Sequence, residues 1–431
     1  MHGQRRRQPR RWIVGSIAGL LVLAAGCSTG SPNALSSAAS VTAAPGTTSP
    51  TSGTATATSA APAISSAVSA TSPPPVPPVA VVTGQPALNS GSLAPADPIT
   101  ISVAQGTIDT LTMTNPDGAA VNGTLSADHT SWTLGEPLAF GATYTVAGTA
   151  TGTDHKQVPI SGTYSTVSPD VQVKNTVYPT DGMTVGVAAP IMVRFGVEPA
   201  DKAAIAKHVT ITTDPVVEGA WGWIQHDDGL WALDYRTKDY WPSGTKVHVE
   251  ADLYGVKIAD GAYGRANVTS DFTVGRNQVV KADVNSHELV VTQDGAVTAT
   301  YPASYGRGDN TGDPNLITRS GVHVVTDFYE TKYMSNPQYG YSNIPERWAV
   351  RISDNGEFIH ANPASSGAQG NTNVTHGCVN LSLEDAQAYY NSAIWGDPVE
   401  VTGTSVQLGP DDGDIYDWGM SWDQWQAIGT D

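Results

Sequence analysis

The chain has 431 residues and a formal net charge of −18 at pH 7, and 40% of its residues are hydrophobic. This length predicts about two to four domains, and the apolar fraction, which includes 11 Trp and 16 Tyr, is sufficient for well-packed cores. The acidic balance argues against nucleic acid as a partner, because a phosphate backbone binds basic surfaces.

The first segment has the features of an export signal. Five arginines lie within the first eleven residues and precede an apolar run at residues 12–25. Basic residues ahead of a short apolar run are typical of a signal peptide, which we place at residues 1–26. Small residues before Cys27 resemble a bacterial lipobox, so Cys27 is expected to become a diacylglyceryl cysteine that anchors the exported chain at the outer face of the plasma membrane. A signal peptide without lipidation is the alternative.

Residues 28–96 contain no Asp, Glu, Lys or Arg and consist almost wholly of Ala, Ser, Thr, Pro, Gly and Val. Such a composition does not bury enough apolar surface to fold, and the run PPPVPPV at residues 73–79 favours a stiff, extended chain. We therefore predict a disordered tether over residues 27–96, which lifts the folded part away from the membrane.

The next two segments, residues 97–169 and 170–275, alternate short apolar runs with Gly, Pro, Asn and Asp, a pattern typical of β-sandwiches. They look like a repeat, in which Trp132 and Trp231 stand about a hundred residues apart, the size of one immunoglobulin domain. We expect the aromatic side chains to form the cores rather than a sugar-binding surface, with Tyr164 and Phe272 closing the two sheets.

Residues 276–403 form a third unit, and the tail 404–431 follows it. In this unit two strands are predicted around a turn at Gln293, Asp294 and Gly295, and a helix is predicted after Ser382, a good N-cap. In the tail, Trp418, Trp422 and Trp425 have the spacing of one helical face. This face is expected to pack against the third unit or the second sandwich.

The two cysteines have different expected fates. Lipidation would consume Cys27, which leaves Cys378 as a lone thiol in an oxidising compartment. Such a thiol is a liability unless it is buried and inert or has a reaction to perform. A reactive thiol needs a base, and the candidates are His376, two residues away, and His360, which ends a predicted strand whose neighbour is expected to carry Cys378. We favour His360.

The residues around Cys378 resemble a known family. The segment FIHANPASSGAQGNTNVTHGCVNLS, residues 358–382, is similar to the signature of the L,D-transpeptidases of peptidoglycan, in particular the mycobacterial type with tandem immunoglobulin-like domains. The resemblance implies a mainly β fold: two immunoglobulin-like β-sandwiches followed by a β-rich catalytic domain with one or two helices.

The same resemblance implies roles for individual residues. Cys378 would be the nucleophile and His360 its general base, with the imidazole oriented by the backbone carbonyl of Ala361. The amides of Gly377 and Cys378 would form an oxyanion hole. The further expected substrate-site residues are Tyr341, preferred over Tyr339, a lid methionine Met334, the loop residue His376, Asn380, with a structural role in the turn equally open, and Gly356.

The reaction implied by the resemblance is acyl transfer without a metal or other cofactor. Cys378 attacks the carbonyl of the third residue, diaminopimelate, in a tetrapeptide stem, expels D-alanine and forms a thioester. The side-chain amine of diaminopimelate in another stem then resolves the thioester and creates a 3-3 cross-link. Peptidoglycan stems are therefore the expected partners, and carbapenems and other β-lactams are expected covalent inhibitors.

Other readings are less well supported by the sequence. A zinc site at Cys378, His376 and His360 lacks a fourth ligand at metal spacing. A sortase would need an Arg shortly after the cysteine, and residues 381–390 contain none. Endopeptidases with Cys before His have the opposite order. A non-catalytic wall-binding lipoprotein, an L,D-carboxypeptidase that uses water as acceptor, and an amidase that releases wall-bound proteins stay open.

Overall fold

The computed structural model describes residues 79–409 and 417–429. The first domain is a β-sandwich with the strands β1 (Val81–Gln85), β2 (Thr100–Ala104), β3 (Gly106–Thr114), β4 (Gly123–Leu125), β5 (Ser131–Leu134), β6 (Thr143–Gly152) and β7 (Gln157–Ser165). One sheet has the order β1-β2-β5-β4, and the other has the order β3-β6-β7. Alternate residues face inward, so that Ile101, Trp132, Val146 and Tyr164 form the core.

The predicted end of the tether at residue 96 is wrong. β1 pairs antiparallel with β2 over its whole length, and Ala80 and Leu93 are buried in the first core. A strand needs alternating apolar side chains but no charges, so the lack of charges did not mark the domain boundary. The predicted signal peptide, Cys27 and the tether up to residue 78 lie outside the described residues. No helix in the described part is long and apolar enough to cross a bilayer.

The second domain is also a sandwich. Its elements are β8 (Val171–Val173), β9 (Thr176–Tyr178), β10 (Thr184–Val185), β11 (Ile191–Phe195), α1 (Lys202–Ala206), β12 (Val209–Asp214), β13 (Gly219–Gln225), β14 (Trp231–Thr237), β15 (Lys246–Ala251), β16 (Lys257–Ala259), β17 (Ala262–Gly264) and β18 (Val268–Val274). The sheets β10-β18-β15-β12 and β13-β14-β11-β9 enclose the core, and β16-β17-β8 forms a small third sheet.

Several aromatic side chains take the predicted core positions, whereas Trp221, Trp231 and Tyr240 are only half-buried. Trp223, Trp241 and Phe272 are buried in the second core. Trp231, in contrast, is only half-buried at the rim, where the Lys202 ammonium lies 3.4 Å from the centroid of its ring. The two sandwiches also contact one another, because the Tyr254 hydroxyl donates to the Leu138 carbonyl at 3.0 Å.

The catalytic domain follows. Its elements are β19 (Gln278–Asp283), β20 (Glu288–Gln293), β21 (Ala296–Pro302), α2 (Gly308–Thr311), β22 (Gly321–Val324), β23 (Phe328–Asn336), β24 (Tyr341–Arg351), β25 (Phe358–Ala361), β26 (Val379–Leu381), α3 (Leu383–Ser392) and β27 (Pro398–Thr402), with 3-10 turns at Pro314–Leu316, Pro337–Tyr339 and Pro363–Ser365. The sheets β21-β20-β19-β27-β22 and β23-β24-β25-β26 pack around a core that includes Val280, Ile359 and Tyr389.

Local predictions in this domain are confirmed. Asp294 and Gly295 form a two-residue turn between β20 and β21, with φ of 50° and 81°. Such paired positive values are typical of hairpin turns. The Ser382 hydroxyl caps α3 by accepting a 3.1 Å hydrogen bond from the Asp385 amide. The inward face of α3 contains the buried Ala386 and Tyr389, whereas Leu383 is 49% exposed.

The second sandwich is joined tightly to the catalytic domain. The amide of Gly186 donates to the carbonyl of Trp395 at 2.7 Å, and a Cβ at Gly186 would lie 2.2 Å from the Asp397 nitrogen. Arg276, in the connection between the two domains, forms a 2.7 Å ion pair with buried Asp397. The second sandwich and the catalytic domain are therefore in direct, close contact and are not joined by a flexible linker.

The tail contacts both surfaces predicted for it, the second sandwich and, at β22, the catalytic domain. It contains a 3-10 turn at Asp417–Gly419 and α4 (Trp422–Ala427), so Trp418 is not on the same helix as the other two tryptophans. Ser421 begins a new helix with a capping box. All three indole rings nevertheless surround the Arg236 guanidinium, at 4.6 to 5.6 Å from their centroids.

Candidate active site

The register of two neighbouring strands brings Cys378 beside His360. β25 and β26 are parallel, with Ile359 opposite Val379 and His360 opposite Asn380. Cys378 immediately precedes β26, so it lies two residues from the level of His360 on the adjacent strand. The predicted strand that ends near His360, with a neighbour that carries the cysteine, is thus confirmed.

His360 is held in one orientation by its own backbone neighbourhood. Its ring is almost fully buried, and Nδ1 lies 3.1 Å from the Ala361 carbonyl oxygen. Because a carbonyl only accepts, Nδ1 carries the proton, which leaves Nε2 as the ring nitrogen that can take a proton from a thiol. Burial alone would lower the pKa of His360, but hydrogen bonds and charge interactions with Cys378 and Glu346 outweigh it and raise the pKa to about 10.

The thiol of Cys378 is accessible. The residue is half-buried, and Sγ lies 3.6 Å from the carbonyl oxygen of Gly356, to which the thiol donates. Gly356 has a φ of +100°, which strongly favours glycine, and space for a Cβ is open there. The contribution of Gly356 is therefore a backbone one.

A cleft of about 340 Å³ opens in front of the two residues. Its walls come from the β23–β24 hairpin, the loop after β25 and the turn before β26. The lining residues are Met334, Tyr341, Ile344, Glu346, His360, Asn362, Ala364, Ser365, Val374, Thr375, His376, Cys378 and Asn380. Six of the residues singled out in the sequence thus meet at one cleft.

The surroundings of Tyr341 and Tyr339 distinguish these two candidate substrate-site residues. Tyr341 lines the cleft, and burial, with the charges of Cys378 and Glu346, raises the pKa of its hydroxyl. Tyr339 donates its hydroxyl to Asp313 at 2.9 Å, away from the thiol. Both rings contact the His376 ring, with centroids 5.2 Å and 5.5 Å apart.

His376 is bound to the loop rather than to the thiol. Its Nε2 lies 3.0 Å from Nη2 of Arg307, and burial, followed by the Arg307 charge, lowers the pKa of the imidazole. In the neutral ring, Nε2 of His376 accepts a hydrogen bond from the Arg307 guanidinium. Within residues 79–409 and 417–429, no group of three His, Cys, Asp or Glu side chains is placed to hold a metal ion.

Asn380 combines a structural contact with an open acceptor. Its backbone amide and carbonyl pair with Ser304, and its side-chain amide donates to the Ser365 hydroxyl at 3.2 Å. Its Oδ1 is buried at the cleft without a hydrogen-bond partner among the described residues. Both roles considered for this residue therefore have a physical basis.

The Gly377 amide, which is expected to serve the oxyanion hole, has a hydrogen-bond partner within the turn. This amide donates to the Thr375 hydroxyl at 3.2 Å, so it is already engaged by the turn. A hydroxyl two residues earlier satisfies the backbone locally, which the His-Gly-Cys motif alone does not reveal. Gly377 has a φ of +122°, and this conformation explains the glycine.

Sequence reasoning missed Glu346. Its Oε2 lies 3.3 Å from Nδ1 of His360, so the imidazole faces a carboxylate as well as a carbonyl. Glu346 lies fourteen positions from His360 in sequence, and only the pairing of β24 with β25 brings them together. Fold and site define a multidomain enzyme whose β-rich catalytic domain presents a thiol and an imidazole in one cleft.

Comparisons with known proteins identify the family. A model of the L,D-transpeptidase catalytic domain matches residues 277–401, and one of a bacterial Ig domain matches residues 90–257. L,D-transpeptidase 5 of Mycobacterium tuberculosis is 48% identical over 351 residues, which are 81% of this chain and 77% of that protein. L,D-transpeptidase 2 of the same species is 36% identical over 77% of this chain and 80% of its own length. The chain belongs to the L,D-transpeptidase family, and its catalytic domain is that of a transpeptidase.

A solved structure gives a further likeness. L,D-transpeptidase 3 from Mycobacterium tuberculosis, in complex with a faropenem-derived adduct, is 28% identical, with a TM-score of 0.43. The match covers 54% of this chain and 98% of that one.

Proposed function

We propose that Cys378 is the nucleophile of a peptidoglycan L,D-transpeptidase and that His360 is its general base. The observation that carries the proposal is that an accessible thiol and a buried imidazole, whose Nδ1 is fixed by the Ala361 carbonyl, line the same cleft. A nucleophile, a base and an orienting group in this order are the requirement for thiol-dependent acyl transfer.

In the first step the proton of Sγ passes to Nε2 of His360, and the thiolate attacks the carbonyl carbon of the third stem residue. A C–S bond forms. The tetrahedral intermediate collapses, the C–N bond to D-alanine breaks, and the imidazolium gives its proton to the departing amine. The product is a thioester on Cys378.

In the second step the side-chain amine of diaminopimelate in another stem attacks the thioester. His360 accepts a proton from this amine, the new C–N bond forms, and the C–S bond breaks. The sulfur leaves as thiolate and takes the proton back from the imidazolium, which restores the starting pair. Two third-position residues are then cross-linked.

Because the Gly377 amide already donates to the Thr375 hydroxyl, the oxyanion gains from donors besides this expected one. We assign them to the Cys378 amide and the Tyr341 hydroxyl, which lines the cleft close enough to the sulfur for the Cys378 charge to affect the Tyr341 pKa. The Asn380 Oδ1 is suited to accept a hydrogen bond from a substrate amide. Met334 on the hairpin and His376 on the opposite wall would contact the stem peptides from two sides.

Release of D-alanine from a tetrapeptide stem tests the assignment. We expect Cys378→Ala to keep the fold and abolish release, and His360→Gln to reduce release far more than His376→Gln does. Equal release by Cys378→Ala would refute the nucleophile, and a dominant effect of His376→Gln would exchange the two histidines. Mass analysis of the product distinguishes a cross-link from the carboxypeptidase and amidase alternatives, and wall binding without turnover would support the non-catalytic one.

The same thiol accounts for our proposal that β-lactams acylate this protein. A strained lactam carbonyl is attacked by the thiolate, the C–S bond forms, the ring C–N bond breaks, and the ring nitrogen takes the proton from His360. Intact-mass measurement after incubation with a carbapenem should give one adduct, absent in Cys378→Ala.

We further propose that the mature chain is exported and anchored through a lipid on Cys27. The basic start, the short apolar run and the small residues before the cysteine support this. Metabolic labelling with a fatty-acid analogue should mark the wild type and not Cys27→Ala. If neither protein were labelled, the lipid anchor would be refuted and export by an unlipidated signal peptide would be supported.

A further inference from the structure

Glu346 is a carboxylate inside the cleft that none of the roles above uses. Its Oε2 lies 3.3 Å from Nδ1 of His360, and its side chain is only 13% exposed. The same Nδ1 lies 3.1 Å from the Ala361 carbonyl, so one N–H faces two acceptors. A carbonyl alone fixes the tautomer, whereas a carboxylate in addition favours the charged ring.

The backbone of β24 is deformed where it passes His360. Arg347 is opposite Ala361 and Val350 is opposite Ile359, so two residues of β24 occupy the place facing His360. This is a β-bulge, a feature that redirects side chains beside active sites. Trp348 in the bulge has a φ of +53°, which is unusual for a bulky residue and is sustained only by its surroundings.

Two ring contacts hold the bulge. The Trp348 ring lies 5.3 Å from that of Tyr390 on α3, and the Arg347 guanidinium lies 5.0 Å from the Trp348 ring. The helix that follows the catalytic cysteine therefore supports the bulge that positions Glu346. This connection explains why a strained tryptophan stands at the rim of the site.

The charges around the imidazole come from two neighbouring elements. Glu346 faces it from β24, and Cys378 faces it from the turn before β26, with the Tyr341 hydroxyl nearby. Lys332 is the cross-strand neighbour of Glu346, but its ammonium lies 4.2 Å from the centroid of the Tyr329 ring. In the described part of the chain, Glu346 has no Lys or Arg within ion-pair distance, so its charge acts on His360.

We propose that Glu346 is a positioning residue that holds His360 as an imidazolium opposite the Cys378 thiolate, through the shared Nδ1 proton. This inference rests on the proposed function, in which the two residues form the reactive pair. During the reaction the Nδ1 proton stays on the ring, and only the Nε2 proton moves between sulfur, leaving group and acceptor.

The sign of the effect follows from the charges. Glu346→Gln keeps an acceptor at Nδ1 but removes the negative charge, so the imidazolium is less stable and so is the thiolate paired with it. The pH at which half of the thiol is ionised should rise. A single charge at this distance shifts a pKa by about one unit or more, which corresponds to about a tenfold loss of thiolate at pH values below the midpoint.

Alkylation by iodoacetamide measures this without any peptidoglycan substrate. The full mature chain would be alkylated between pH 5 and 9, and the Cys378 peptide quantified by mass, which separates it from Cys27. We expect the midpoint of Glu346→Gln to move up by about one pH unit, and that of Glu346→Asp to stay nearer the wild type. Glu330→Gln, an exposed glutamate on the same hairpin, is the matched control and should leave the profile unchanged.

The outcomes distinguish a failure of the Glu346 proposal from a failure of the proposed transpeptidase function. An unchanged midpoint in Glu346→Gln, with D-alanine release reduced or not, overturns the positioning role and would assign Glu346 to substrate contact or to packing. A shifted midpoint in a protein that releases no D-alanine even as wild type would support the role of Glu346 and defeat the proposed function. Because Glu346→Asp keeps the charge, a restored profile in that variant excludes a purely structural effect.

Discussion

The Thr318 hydroxyl donates a 2.7 Å hydrogen bond to the carbonyl oxygen of Gly377, the residue before the proposed nucleophile Cys378. The Thr318 hydroxyl oxygen accepts a 2.9 Å hydrogen bond from the Gly306 amide, and Thr318 is fully buried. One side chain thus joins the loop after β21 to the turn that presents Cys378. The orientation of the thiol depends on a residue sixty positions earlier in the chain.

Thr318→Val should damage both stability and catalysis. The substitution keeps the shape but leaves the Gly306 amide and the Gly377 carbonyl without their partner, which lowers the free energy of unfolding by about 1–3 kcal/mol. Urea unfolding and D-alanine release measure the two effects. Thr318→Ser retains the oxygen and is the control; if it lost as much activity as Thr318→Val, the hydrogen bonds would not be the cause.

Gly377→Ala tests the backbone conformation beside the nucleophile. At a φ of +122° a Cβ is strained even though its nearest neighbours would lie 3.6 Å or more away. Strain of this kind costs about 1–3 kcal/mol, and relaxation of the turn would move Sγ away from the imidazole. Alkylation and D-alanine release should both fall, whereas Gly367→Ala, where space is open and φ is ordinary, should change neither. Equal losses in the two variants would contradict the argument.

Much of the catalytic domain was predictable because its signals are local. The Asp294-Gly295 turn, the Ser382 cap and the strand containing His360 each follow from residues within a few positions. The pairing of His360 with Cys378 was predictable from the spacing and the family signature together. A loop between two strand ends must bring them side by side when those strands are neighbours in one sheet.

The remaining features depend on contacts that spacing does not encode. Glu346 reaches His360 only because of a bulge in β24. No residue type in that segment predicts a bulge. The Thr375 hydroxyl captures the Gly377 amide through side-chain geometry in a turn. The first sandwich begins with β1 because Val81–Gln85 finds a partner strand, whereas its composition matches the tether before it.

The joint between the second sandwich and the catalytic domain should be sensitive to pH through Asp397. Burial raises the pKa of this carboxyl to about 6, an effect that Arg276 and hydrogen bonds only partly offset. The folded-state pKa is above the unfolded value of about 3.9, so the folded protein binds more protons between these values. The contribution of Asp397 to stability is therefore fully present below about pH 4 and is lost as pH rises through about 6.

Comparison with Asp397→Asn isolates this term. The free energy of unfolding of the wild type relative to the variant should fall by about 2 kcal/mol from pH 4 to pH 7, whatever the fixed difference between the two proteins. Urea titrations at several pH values provide the measurement. A difference that stays constant, or that grows with pH, would mean that the Arg276 ion pair outweighs the burial of the carboxylate.

The tail should stabilise the second sandwich mainly through Trp425. This side chain is fully buried against Ile224, its indole N–H donates to the Ala220 carbonyl at 2.9 Å, and its ring lies 3.0 Å from where a Cβ of Gly222 would be. Trp425→Ala should lower the free energy of unfolding by about 3–5 kcal/mol, because the cavity between α4 and β13 has no side chain to fill it. The half-buried Trp422 is the matched control, and Trp422→Ala should have a clearly smaller effect. Equal unfolding midpoints for wild type and Trp425→Ala would show that the tail is held elsewhere, with the Arg236 contacts as the remaining attachment.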